Sequence, residues 1–115
     1  MRRLAPVTLH VLLIGYAVLL GGCIRTPKQL CQETFDALND MSARCGLGVE
    51  FQLVHPTTRA VVSCDEIVGV RSAETIVQEC LPWARDEGVC EMLTFDGAGM
   101  VELLPGCDAG NFQVP

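Results

Sequence analysis

Seven cysteines, at positions 23, 31, 45, 64, 80, 90 and 107, are the side chains of this 115-residue chain best equipped for covalent chemistry. Their spacing argues against a metal. Structural zinc sites favour ligand pairs about two to four residues apart, whereas consecutive cysteines from Cys31 onward are separated by nine or more residues. No C-x-x-C pair is present to serve thiol–disulfide exchange. Disulfides remain, and they need an oxidising compartment. An odd total then leaves one thiol to explain.

The other reactive side chains are sparse. Nucleophilic catalysis needs a base beside the nucleophile. Of the two histidines, His10 lies in the apolar N-terminus and His55 precedes Pro56, which reads as a turn. Ser63 and Ser72 stand where helix caps are expected. Cys64 is followed by Asp65 and Glu66, anions that disfavour a reactive thiolate. Asp65-Glu66 and Asp86-Glu87 could supply a carboxylate dyad, but adjacent acids near helix ends serve the helix dipole and solvent. Calcium requires a denser acidic loop than Asp96-Gly97-Ala98-Gly99, and no Gly-rich phosphate loop follows a strand. Trp83, the single tryptophan, reads as core packing. The inventory predicts no catalytic residue, no metal and no cofactor.

The leftover thiol is explained at the N-terminus. Met1-Arg2-Arg3 is a cationic start, an apolar stretch runs unbroken from Val11 to Leu20, and Leu20-Gly21-Gly22-Cys23 follows. This is the layout of a secretory signal peptide. A cysteine directly after small residues resembles the lipobox of bacterial lipoproteins, which implies acylation of Cys23 and removal of residues 1–22. Two alternatives compete. A spanning helix needs about 20 apolar residues, and the clean run from Val11 to Ile24 has only 14, three of them glycine. A plain secretory signal would leave Cys23 unpaired. With Cys23 assigned to lipid, Cys31, Cys45, Cys64, Cys80, Cys90 and Cys107 form an even set for three disulfides.

After residue 22 the chain has 93 residues, enough for one domain, with six basic against 14 acidic side chains and a net charge of −8. Nucleic acid and anionic lipid both select basic surfaces, so neither is an expected electrostatic partner. Membrane attachment falls to the acyl chains.

The elements that position these groups follow from periodicity. Thr26-Pro27-Lys28-Gln29 reads as a capping box with proline at the first helical position, leaving residues 23–26 as a very short tether with a reach of about 10 Å. A helix is predicted from Pro27 to Arg44, ending at Gly46-Leu47-Gly48. Cys31, Phe35, Leu38, Met41 and Cys45 form its apolar stripe, and Glu33, Asp36, Asn39 and Asp40 its polar side. Cys31 and Cys45 would lie about 21 Å apart along it, too far to pair, since bridged Cα atoms lie within about 7 Å. Residues 49–62 suggest a β-hairpin turning at His55-Pro56-Thr57-Thr58, the alternative being a loop and a helix through Cys64. Ser63 opens a short helical turn. Ser72 caps a helix from Ala73, with Ile76, Val77, Cys80 and Leu81 inward and a kink or break at Pro82. A further short helix is expected at Cys90–Leu93, a turn at Asp96–Gly99, closure of the core at Leu104-Pro105-Gly106-Cys107, and a polar tail over 111–115.

Cys64-Asp65-Glu66-Ile67-Val68-Gly69-Val70-Arg71-Ser72, Glu79-Cys80-Leu81-Pro82, Cys90 and Leu104-Pro105-Gly106-Cys107 together resemble small cysteine-rich lipoproteins of myxobacteria. The resemblance spans roughly residues 64–107 and implies an envelope lipoprotein with disulfides and no assigned activity. The expected fold is a mainly α, disulfide-stapled domain over 27–110 with a candidate β-hairpin at 49–62. The expected function is a non-catalytic, membrane-proximal interaction module. It would be held by acyl chains in the cell envelope, with outer-membrane sorting suggested by Ile24 after the cysteine, and would meet an envelope protein or the cell wall. The alternative is a small extracytoplasmic enzyme or enzyme inhibitor.

Overall fold

The computed structural model describes residues 25–115. Helix α1 (Pro27–Cys45) carries the capping box in full: the Gln29 amide donates to Thr26 Oγ1 at 3.1 Å and the Thr26 amide to Gln29 Oε1 at 3.0 Å. It stops at Gly46, whose φ of +65° is the left-handed conformation that glycine adopts without a Cβ clash. The buried face is rotated from the expected stripe. Leu30, Cys31, Thr34, Ala37, Leu38, Met41 and Ser42 are buried, while Phe35 and Cys45 are only partly so. Small hydroxyl residues reach the core because backbone carbonyls satisfy them: Thr34 donates to Leu30 O at 2.7 Å and Ser42 to Val49 O at 2.6 Å.

Residues 49–53 return along α1 in an extended conformation. Val49 and Phe51 find their backbone partners in side chains of the helix, while Leu53 O accepts from the Val62 amide at 2.8 Å. Asn39 donates to Phe51 O at 3.1 Å and accepts from the Phe51 amide at 2.6 Å, as a neighbouring strand would. The expected hairpin is thus narrower than 49–62. It closes at the Val54–Val61 bridge and turns through 56–58, with Arg59 at φ +64°. Leu53 is buried and Val49 and Phe51 half-buried, so the alternation of the sequence holds.

Ser63 caps a single 3-10 turn, Cys64–Glu66, through a second capping box. Strand β1 (Gly69–Val70) then pairs antiparallel with β2 (Phe112–Gln113), in the register Gly69 to Gln113 and Val70 to Phe112. The polar tail expected at 111–115 is therefore corrected: Phe112 is buried and its ring stands 5.7 Å from that of Phe35. One aromatic side chain with a core partner outweighs the polarity of its neighbours.

Helix α2 (Ala73–Thr75) passes through a π turn (Ile76–Cys80) into α3 (Leu81–Arg85). Of the kink or break expected at Pro82, the break does not occur: the chain stays helical, and regular α geometry gives way to the π turn just before the proline. A proline inside a helix clashes with the carbonyl four residues earlier, and the wider π turn just before it gives room while the Leu81 amide bonds Ile76 O. Ser72 does precede this helix, but at φ +54° and with no side-chain cap bond. Arg44, in the last turn of α1, donates to Ala84 O and Asp86 O and so caps α3. Helix α4 (Val89–Met92) follows, then a small hairpin with a bridge between Phe95 and Val101. A 3-10 turn, Pro105–Cys107, packs on the π turn. A Cβ on Gly106 would come within 3.0 Å of the Thr75 carbonyl oxygen, so glycine permits this close approach.

Three disulfides join these pieces: Cys31–Cys64, Cys45–Cys90 and Cys80–Cys107. The two ends of α1 are stapled to different segments, as its length requires. The fold is a small, mainly α domain held by disulfides, and such bridges mark an oxidising, extracytoplasmic environment.

Candidate functional site

A cleft of about 640 Å³ lies against β1 and β2 and is lined by the apolar Val54, Pro56, Val68, Phe112 and Val114 and by the polar Arg71, Asp108 and Gln113. Asp108 directs Oδ1 to the Gly110 amide at 2.9 Å. Arg71 forms no ion pair among the described residues.

His55 sits in the hairpin that supplies Val54 and Pro56. Its Nδ1 accepts from the amides of Thr57 and Thr58 at 3.1 and 3.2 Å, and Nε2 lies 3.0 Å from Pro115 O. Two donors at Nδ1 assign the proton to Nε2, which donates to that carbonyl. Both ring nitrogens are committed to backbone. One member of each acidic pair is similarly engaged. Glu66 accepts from the Ser63 amide at 2.9 Å and Asp86 from the Gly88 amide at 3.1 Å, each holding a local turn. Asp96 Oδ1 accepts from the amides of Ala98 and Met100, both at 2.9 Å, and so shapes its own turn. Trp83 is half-buried and packs on the core. Among the described residues no cluster of three or more His, Cys, Asp or Glu could hold a metal ion.

The cysteines fall into a graded series. Cys80 and Cys107 are both buried, Cys31 is buried against a half-buried Cys64, and Cys45 is half-buried against an exposed Cys90. Cys23, where acylation is expected, lies outside the described residues. No helix among the described residues is long and apolar enough to cross a membrane.

Two features escaped the sequence reading. The first is an ion triad beside the tether. Glu33 meets Arg25 Nε at 2.6 Å and Arg85 Nη2 at 2.9 Å. Burial pushes the Glu33 carboxyl up, but hydrogen bonds from Arg85 and Arg25 and their positive charges together outweigh it, holding the group below the usual carboxylate value. Arg25 at an eight-residue separation gives no periodic signal, and Arg85 lies 52 residues from Glu33. The second is a pair of exposed apolar side chains, Phe95 and Met100, which share a small cleft with Leu47, Val49 and Val101. A signal existed in their flanking of the Asp96–Gly99 turn, but a periodicity argument assigns apolar residues inward.

Comparison with known protein families, with curated proteins and with solved structures finds no match.

Proposed function

We propose that this chain is a lipid-anchored envelope lipoprotein whose rigid domain binds a neighbouring macromolecule and catalyses nothing. The observation that carries the reading is the division of its surface. The side chains with chemical capability, His55, Glu66, Asp86, Asp96 and Asp108, hold backbone amides, while Val61, Val68, Phe95 and Met100 stand open to solvent. A domain stapled by three disulfides presents such side chains with little ordering cost. The Leu20–Cys23 pattern supports acylation of Cys23 and loss of residues 1–22. The partner is an envelope protein or the cell-wall layer.

The ion triad supports a fixed attitude on the membrane. Arg25 is held to Glu33, which ties the first described residue to α1. Three experiments test the proposal. Cys23→Ser should move the protein from the detergent phase to the aqueous phase, and continued membrane retention would overturn the lipid anchor. His55→Ala and Asp65→Ala/Glu66→Ala, expressed at normal level, should complement a deletion strain, whereas loss of complementation by a folded variant would return chemistry to those residues. A ten-residue spacer inserted after Ile24, which leaves the triad intact, should impair function if proximity to the membrane matters.

A further inference from the structure

Resting on the reading of this domain as a binding module, we infer that its docking surface is the apolar tip formed by Phe95 and Met100, and that its partner is a protein presenting an apolar pocket rimmed by lysine or arginine. Phe95 and Met100 are 54% and 55% exposed and share a small cleft with Leu47, Val49 and Val101. Methionine and phenylalanine are the side chains that protein interfaces bury at their centres. A domain that leaves both open at one turn presents an unpartnered face.

The surrounding charge names the occupant. From Asp86 to the end of the sequence there are six acidic residues and no lysine, arginine or histidine. Glu91, Asp96 and Glu102 flank the apolar tip in sequence and are exposed. The cation of α1 nearest this end, Arg44, is committed to Asp40 and to the carbonyls of Ala84 and Asp86. A second copy docking face to face would set this acidic rim against itself. A bilayer is excluded by charge and by position. Leu47 and Val49 follow the C-terminal end of α1, whereas Arg25 and the tether precede its N-terminal end, and 19 helical residues separate them by about 28 Å. The tip stands at the opposite end of α1 from Arg25. Opposite charge around an apolar centre sets the choice of partner and speeds encounter.

The test uses the lipidated protein in its own envelope, with a photoactivatable phenylalanine analogue at position 95 and, in parallel, at Val61 on the other hairpin. The expected result is a protein adduct from position 95 and none from position 61, with the mapped contact peptide carrying lysine or arginine beside apolar residues. Glu91→Lys/Glu102→Lys should cut adduct yield at least tenfold and Met100→Ser should do the same, with disulfides and helicity unchanged in both. An adduct to lipid, to a second copy or to an acidic peptide would overturn the inference, as would full yield from the charge-reversed variant. A protein adduct from position 61 alone would leave the binding-module reading intact and dismiss this surface. No protein adduct from either position would dismiss both.

Discussion

Replacing Cys80 and Cys107 by alanine is expected to destabilise the domain more than replacing Cys45 and Cys90, although the latter bridge closes the longer loop. In the chain-entropy description a bridge restricts the unfolded chain by an amount that grows with the logarithm of loop length. The separations are 27 and 45 residues. They correspond to about 3.6 and about 4.0 kcal/mol, so loop length separates the two bridges by only about 0.4 kcal/mol. Burial acts in the opposite direction. Cys80 and Cys107 are 0% and 2% exposed, in the contact between the π turn and the 3-10 turn, while Cys90 is open to solvent. Each core sulfur removed forfeits about 1 kcal/mol, comparable to a buried methylene with its cavity. Cys80→Ala/Cys107→Ala should therefore lose about 5–6 kcal/mol and Cys45→Ala/Cys90→Ala about 4 kcal/mol. Alanine is the right replacement because a buried serine hydroxyl without a partner adds its own desolvation cost. Guanidinium titration followed by Trp83 fluorescence measures both, with unchanged m-values required for the comparison. A domain of this size has roughly 5–13 kcal/mol in all, so the first variant sits at the edge of folding. If the exposed bridge proves equally or more important, loop length governs and the packing argument fails. The same gradation predicts that limiting reductant opens Cys45–Cys90 first and Cys80–Cys107 last, read by alkylation and mass spectrometry.

Asn39→Ala strips both backbone groups of Phe51 of their partner and should cost about 1–3 kcal/mol in urea titration; Asn39→Asp should not rescue it, because a carboxylate faces the Phe51 carbonyl, and a neutral result for either would deny the clasp. Ser72→Gly relieves a left-handed φ of +54° and should raise stability by about 0.5–1 kcal/mol, while Ser72→Ala should be near neutral, since no cap bond is lost. A large loss on Ser72→Ala would restore the capping role. Glu33 has a lowered folded-state pKa, so its contribution is complete above the unfolded value near 4.5 and fades as pH falls through the lower folded one. Wild type should therefore lose more stability than Glu33→Gln between about pH 5 and 3, and parallel acid curves would rule the triad out as a source of stability. The effect is small because Arg85 is half exposed.

Local chemistry made part of this molecule legible in advance. Thr26 and Gln29 cap α1 from within four residues, Gly46 ends it, and Ser63 and Glu66 close a turn, because each bond spans only neighbours whose identity is enough to place them. The ban on a Cys31–Cys45 bridge followed from helix rise alone. The tertiary structure decided what depends on which distant group arrives. Asn39 reads as a solvent residue until Phe51 lies beside it, and Ser42 as polar until it meets Val49 O. Phe112 sits in a polar segment, and only the approach of Phe35 and β1 makes it core. Twelve disulfide connectivities satisfy the helix constraint, and the choice among them is made by packing of distant segments, as where Gly106 lies against the Thr75 backbone and Cys107 meets Cys80. The position of the apolar tip belongs to the same class. Sequence can say that Phe95 and Met100 are apolar, but with a core already filled by α1 and the π turn, no inward place remains for them.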